Sequence, residues 1–108
     1  MSLGRNPRVE ERRHHLRVTG PFEGHWHGGS GATEVRISDV SLGGCFVETL
    51  VQPTPGEDTE VTVCFTPVDS MTIAGHVVYS EPGLGFAVKF RELTPEETTA
   101  LKRYLHQE

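Results

Sequence analysis

The stretch EVTVCF, residues 60–65, determines the fold class, because its side chains alternate in character along the chain. Every second side chain is large and apolar, namely Val61, Val63 and Phe65, and the side chains between them are polar or small. A period of two is typical of a β-strand with one face buried in a core and the other facing solvent. The chain therefore builds its hydrophobic core at least partly from strands.

Comparable stretches lie on both sides of this one, separated by glycine- and proline-containing turns. The sequence predicts six strands, at residues 15–22, 33–39, 44–50, 60–65, 71–80 and 85–90. A Gly-Gly-Ser-Gly stretch at 28–31 indicates a hairpin loop between the first two. No helical segment separates the strands, so successive strands should pair antiparallel, and closure into a barrel would remove exposed edges. We expect a mostly β fold, a six-stranded antiparallel β-barrel.

One helix is predicted near the end of the chain, at residues 95–106. Thr94 suits the N-cap, Pro95 suits the first helical position, and Glu97 completes a Thr-x-x-Glu capping box. The apolar side chains of this segment fall on one helical face: Ala100, Leu101, Tyr104 and Leu105. The helix should therefore pack against the barrel.

The length and composition indicate one domain with a modest core. In 108 residues, we expect a flexible N-terminal arm at 1–9 and a β-barrel domain at 10–108. No stretch is long and apolar enough for membrane insertion, and the charged N-terminus lacks the apolar centre of a signal peptide. Cys45 and Cys64 lie in apolar segments, where reduced, buried thiols are expected in a cytoplasmic protein, and neither has a CxxC neighbour, which argues against zinc binding.

The charge of the chain is unevenly distributed, which narrows the choice of partner. Five of the ten cations are arginines within the first 17 residues, namely Arg5, Arg8, Arg12, Arg13 and Arg17. The same segment contains only two acidic residues. This segment carries +3, which leaves −8 on the remainder of a chain with net charge −5. An acidic body is a poor surface for long nucleic acid or anionic lipid. The arginines suit a small anion, although a solvated basic tail would have the same composition.

Two short motifs occur in a suggestive order. Arg13 and Arg17 have an Arg-x-x-x-Arg spacing, and Asp39, Ser41 and Gly44 form an Asp-x-Ser-x-x-Gly pattern. Each is weak alone, because arginine pairs are common and an Asx-turn between strands uses the same residue types. Both nevertheless lie at the edges of predicted strands, about twenty residues apart.

Taken together, the two motifs resemble those of the PilZ domain family. The resemblance runs over residues 10–106 and includes RRHHLRV at 12–18, DVSLGG at 39–44 and GLGFAVKF at 83–90. It implies a six-stranded barrel that binds cyclic di-GMP, often as a stacked nucleotide dimer, without catalysis and without a cofactor. The implied binding residues are Arg12, Arg13, Arg17, Asp39, Ser41, Gly43 and Gly44.

These residue types suit such a ligand chemically. An arginine can bind a phosphate or guanine O6 and N7 in bidentate fashion and can stack on a base. Asp39 would accept hydrogen bonds from guanine N1–H and N2–H2, and Ser41 would bind a phosphate or ribose oxygen. Gly43 and Gly44 would adopt positive φ and let the backbone approach the ligand.

The expected mechanism is an arm that becomes ordered over the nucleotide and changes the surface offered to an unidentified effector protein. Three other interpretations stay open. His25 and His27 share one face of a strand, as metal ligands often do, but no third ligand is evident. An enzyme is less well supported, because there is no Gly-x-Ser-x-Gly elbow and Cys45 has no evident acid-base partner. The third is a PilZ-like protein-interaction module without nucleotide binding.

Overall fold

The structure is a computed structural model that describes residues 16–18, 20–28 and 31–107. Within these ranges the chain forms eight strands and one helix. In chain order they are β1 (Leu16–Val18), β2 (Phe22–Gly28), β3 (Gly31–Ser41), β4 (Gly44–Glu48), β5 (Asp58–Thr66), β6 (Asp69–Glu81), β7 (Gly85–Phe90), α1 (Pro95–Lys102) and β8 (His106–Gln107).

Six of the strands form a closed antiparallel barrel, which confirms the predicted fold class. The strand order is β2-β5-β6-β7-β4-β3, and pairing of β3 with β2 closes the ring. The short strands β1 and β8 lie outside the ring, where β1 pairs with the end of β3 and β8 pairs with β1. The ends of the described chain therefore meet beside the last residues of β3.

The first strand of the barrel differs from the prediction. Residues 15–22 are not one strand, because the chain leaves β1 after Val18 and enters the barrel only with β2. Pro21 has no N–H to donate to a ladder, so a continuous strand cannot pass through it. In β2, Gly24 takes an inward position that Ile37 and the carbonyl of Thr62 fill. A glycine at a core position weakens the alternation, which is why the sequence did not reveal β2.

The core follows the predicted alternation in most strands. Val61 and Val63 of β5 are fully buried, as are Ile37, Val47 and Phe86 from neighbouring strands. Phe65 leaves the pattern, because the β5–β6 register shifts between residues 64 and 66. Its ring is only partly buried and stacks on the ring of Tyr104 with a centroid distance of 4.4 Å.

The C-terminal helix begins where the sequence predicted and ends earlier. Thr94 caps α1, and the capping box with Glu97 is present, with the backbone N–H of Glu97 3.0 Å from Thr94 Oγ1. The predicted end at residue 106 is wrong, because α1 ends at Lys102 and residues 106–107 form β8. Tight turns follow the helix, and the chain then extends to pair with β1. Leu101 and Leu105 are both buried, which confirms that this segment packs on the barrel.

Candidate functional site

A β-bulge in β3 sets the geometry around Asp39. Val35 and Ile37 are buried, so uninterrupted alternation would bring residues 39 and 41 into the core. The pairing of β3 with β4 instead shifts register between Ser38 and Val40. Val40 becomes the buried residue and Asp39 stays half-buried at the surface. Bulges commonly redirect side chains in this way beside binding sites.

The backbone of Asp39 is in the left-handed region, with φ of 50°. Among the non-glycine residues that the structure describes, no other has positive φ. This conformation costs about 1–2 kcal/mol for an L-residue, although aspartate tolerates it better than most. Such strain is characteristic of sites where geometry serves a function. The bulge thus holds a carboxylate at a fixed position on the outer face of the barrel.

The hydroxyl group of Ser41 makes two hydrogen bonds within its own turn. Its hydroxyl oxygen accepts a hydrogen bond from the backbone N–H of Gly43 at 3.2 Å and donates to the carbonyl of Gly44 at 3.4 Å. A hydroxyl has two acceptor sites and one donor, so one acceptor site is not used by these two bonds. Ser41 can therefore stabilise the turn and still accept a hydrogen bond from a ligand.

The two glycines of the turn behave differently from the prediction. Positive φ at Gly43 and Gly44 is wrong, because the described glycines in the left-handed region are Gly56, Gly83 and Gly85. A side chain at Gly44 would instead collide with the carbonyl oxygen of Val88 on β7. At Gly43 the nearest atom to the position that a Cβ would occupy is Ser41 Oγ at 4.0 Å, so this position opens to solvent. Gly44 is needed for strand packing, whereas Gly43 leaves the approach to the turn unobstructed.

An open depression of about 430 Å³ lies beside the turn and includes Asp39, Ser41 and Gly44 in its walls. Its floor crosses four strands, because Ser38 is paired with Phe46, Phe46 with Ala87, and Ala87 with Tyr79. The small side chain of Ala87 thus lies between two aromatic residues, one of which, Tyr79, is 49% exposed. Two strand spacings, about 10 Å, separate the backbone positions of Phe46 and Tyr79, so two aromatic side chains flank a small one on this face of the sheet.

Sequence reasoning missed Phe46, Tyr79 and Glu81 as lining residues. Tyr79 faces outward because the β6–β7 register shifts between residues 77 and 79, and that bulge has no local sequence signal. For Phe46 the sequence did offer a hint, because this aromatic residue shares a strand face with Glu48.

The charges that line the depression disfavour an anion unless another segment of the chain contributes cationic side chains. Asp39 and Glu81 line it, and no lysine or arginine does so among the described residues. The backbone of Arg17 lies in β1 with its Cα as the register partner of Ser41. Opposite residues in antiparallel strands have Cα atoms about 4.5–5.5 Å apart. The fold therefore brings the position of Arg17 to the edge of the turn.

The other arginines predicted for the site, Arg12 and Arg13, lie outside the described residues, as does the arm at 1–9. Of the seven predicted positions, the structure places Asp39, Ser41 and Gly44 around one depression, Gly43 in the adjoining turn but outside the lining, and the backbone of Arg17 opposite Ser41 in the β1–β3 ladder.

The histidines considered for metal binding and the cysteine considered for catalysis can be described from their contacts and burial. His25 and His27 have ring centroids 6.4 Å apart, and His27 Nε2 lies 3.0 Å from Thr62 Oγ1. In the described ranges no three histidine, cysteine, aspartate or glutamate side chains gather closely enough to hold a metal ion. Burial raises the pKa of the Cys45 thiol to about 12. A thiol with that pKa is protonated at neutral pH, so Cys45 contributes packing rather than a nucleophile.

None of the helical structure described is long and apolar enough to cross a membrane. Comparison with protein-family models matches the PilZ domain over residues 11–107. Among solved structures, the chain is similar to the inhibitor of motility MotI/DgrA of Bacillus subtilis, with a TM-score of 0.63 and 16% sequence identity. The alignment covers 86% of this chain and 48% of that chain, so this chain spans about half of its length. Comparison with curated protein sequences gives no significant match.

Proposed function

The chain belongs to the PilZ domain family, and from that premise we propose that it is a cytoplasmic receptor for cyclic di-GMP that signals to an effector protein. The family consists of receptor and adaptor modules, generally without enzymatic activity. The observation that supports the proposal best is the pairing of Arg17 with Ser41, beside a depression that also contains Asp39. The last arginine position of the first motif is thus opposite the serine of the second, although the two are far apart in sequence.

The depression offers a distinct group for each part of the ligand. The carboxylate of Asp39 accepts guanine N1–H and N2–H2, which adenine does not present. Ser41 accepts a ribose hydroxyl with its remaining acceptor site and keeps its place in the turn. Phe46 and Tyr79 present aromatic surface on either side of Ala87, where a guanine base stacks.

Arginines from the N-terminal segment supply the charge that the depression lacks. Cyclic di-GMP carries two phosphates, and the described walls add Asp39 and Glu81, which repel it. Arg12, Arg13 and Arg17 reverse this balance, and each bidentate contact contributes about 1–3 kcal/mol. Ordering the arm costs about 1–2 kcal/mol per residue, so a micromolar dissociation constant, about −8 kcal/mol, is expected. The position of the ordered arm is the signal that an effector reads.

Calorimetric titration tests this function directly. Cyclic di-GMP should bind saturably, and cyclic di-AMP and GTP should not. Arg13→Ala and Arg17→Ala should each abolish measurable binding and leave the melting temperature unchanged. Arg103→Ala is the matched control, since Arg103 is an exposed arginine at the C-cap of α1 and should bind as the wild type does.

The alternative function, a protein-interaction module without nucleotide binding, gives the opposite result in the same titration. The wild-type protein would then be folded and yet release no heat with any nucleotide. Unchanged affinity in Arg17→Ala would also contradict the proposal. The substitution removes a positive charge, so the result would show that phosphate binding does not depend on that charge.

A further inference from the structure

We propose that an exposed apolar surface at one end of the barrel is the docking surface for a partner protein segment that combines apolar and basic side chains. The surface, here called the apolar corner, consists of Leu50, Val51 and Leu84 with the flanking carboxylates Glu48 and Glu81. Docking itself does not depend on nucleotide binding. That this partner receives a nucleotide signal rests on the function proposed above.

The apolar side chains of the corner are highly exposed, and two of them, Leu50 and Leu84, share one depression. Leu50 is 80% exposed, Leu84 is 61% exposed and Val51 is 46% exposed. Leu50 and Leu84 line the same depression of about 490 Å³, and the N–H of Thr49 donates to the carbonyl of Leu84 at 3.3 Å. Single exposed apolar residues are ordinary, whereas contiguous ones mark interaction sites.

The backbone holds Leu84 in this exposed position. Its N–H donates to the carbonyl of Glu81 at 2.9 Å, and Gly83 between them has φ of 83°, as a type II turn requires. The next residue, Gly85, has φ of 151° and approaches the carbonyl oxygen of Val47 so closely that a side chain would collide. Because the backbone that carries Leu84 is already fixed, binding a partner does not require this turn to become ordered.

The segment that carries Leu50 and Val51 is fixed in a similar way. Ser80 Oγ donates to the carbonyl of Pro53 at 3.0 Å, and the N–H of Gly56 donates to the carbonyl of Val77 at 2.6 Å. Pro53 is buried, so the loop is attached to β6 rather than free in solvent. Both sides of the apolar corner are therefore preorganised.

The charge around the corner selects a basic partner. Glu48 and Glu81 are exposed, and the adjoining depression adds Glu23 and Glu34, against one cation, Arg36. Carboxylates around an apolar centre attract lysine and arginine on the partner and repel acidic segments. Together with the net charge of −5, this disfavours an acidic partner segment.

The corner adjoins the proposed nucleotide site. Ser38, Phe46 and Glu81 line both the depression beside Asp39 and the depression beside Leu84. A ligand that moves the side chain of Phe46 or of Glu81 therefore changes the wall that a docked partner contacts. This shared wall is a direct structural route between the two sites.

The test uses two synthetic amphipathic peptides of equal length, one of leucine and lysine and one of leucine and glutamate, with binding measured by fluorescence anisotropy. The lysine peptide should bind and the glutamate peptide should not. Leu84→Ser and Leu50→Ser should each weaken the lysine peptide about tenfold, which corresponds to about 1.4 kcal/mol. Val68→Ser is the matched control, because Val68 is 89% exposed but lies in the β5–β6 turn.

A charge reversal separates the electrostatic part of the inference. Glu48→Lys should weaken the lysine peptide, and the control Glu92→Lys, at an exposed position after β7, should not. Equal binding of both peptides, absence of binding, or equal losses in Leu84→Ser and Val68→Ser would overturn the proposal. Self-association that Leu84→Ser abolishes in sedimentation would assign the corner to a second copy of the chain and would also overturn it.

Failure of this inference is distinguishable from failure of the proposed function. Peptide binding without cyclic di-GMP binding would refute only the nucleotide receptor. Cyclic di-GMP binding without peptide binding would refute only the docking surface.

Discussion

Each end of the β4–β7 ladder has a glycine where the two backbones approach closely, but the side chains around the two glycines differ in polarity. At one end Gly44 is paired with Lys89, and at the other Gly85 is paired with Glu48. Both glycines are required, because a side chain at either would collide with a carbonyl oxygen of the partner strand. The first end presents a polar turn and the second presents an exposed leucine. A glycine that is required at such a position therefore indicates close packing of two strands. It does not indicate a binding site, because the ligand would contact the neighbouring side chains.

The largest effect is expected from the glycines themselves. Gly44→Ala and Gly85→Ala should each lower the free energy of unfolding by about 2–4 kcal/mol, because the backbone must shift to accommodate a methyl group. Gly43→Ala should change it by less than about 0.5 kcal/mol, since that position faces open space. Urea denaturation measures all three. Equal stability of Gly44→Ala and Gly43→Ala would show that the two glycines do not differ as described.

The next effect separates the two ends by ligand. Asp39→Ala should weaken cyclic di-GMP binding about 10- to 100-fold, the contribution of one good bidentate contact to guanine. Leu84→Ser should leave that affinity unchanged, because Leu84 does not line the depression beside Asp39. Calorimetry measures both variants. A comparable loss in Leu84→Ser would mean that the two ends form one site.

Much of this arrangement could be predicted from local sequence patterns. The alternation of β5 and β7 identified core strands, and β7 has the predicted bounds. The capping residues located the start of α1, since a cap is a local interaction between Thr94 and Glu97. The Asp-x-Ser-x-x-Gly pattern also located a turn between β3 and β4.

The features that were missed depend on contacts between distant strands. The bulge at Asp39 arises from the pairing of β3 with β4, and the pairing of Arg17 with Ser41 joins two strands that are far apart in sequence. The early end of α1 has the same origin, because β8 pairs with β1. The floor of the depression, with Ala87 between Phe46 and Tyr79, requires the register of three strands. No local pattern contains that information.

A smaller effect tests the strain in β3. Asp39→Gly and Asp39→Ala both remove the carboxylate and its interactions, so the difference between them isolates the backbone conformation. The glycine variant should be more stable by about 1 kcal/mol, because glycine adopts φ of 50° without a steric penalty. Thermal denaturation measures the difference. Equal melting temperatures would show that the bulge stores no strain.

The smallest effect concerns Cys45, a buried residue that borders the depression. Because burial raises its pKa to about 12, the thiolate population is negligible at pH 8. Iodoacetamide should therefore modify the half-buried Cys64 well before Cys45 in the folded protein, as mass spectrometry of peptides would show. Rapid modification of Cys45 would indicate that the polar end of the ladder opens in solution.

The central claim is that cyclic di-GMP binds where the N-terminal arginines meet the β3–β4 turn. Titration of isotope-labelled protein with cyclic di-GMP, followed through amide chemical shifts, tests it most directly. The account predicts the largest changes at residues 39–44 and at Arg17, with β5 unaffected. Changes centred on β5 or on residues 83–85, with residues 39–44 unaffected, would contradict it.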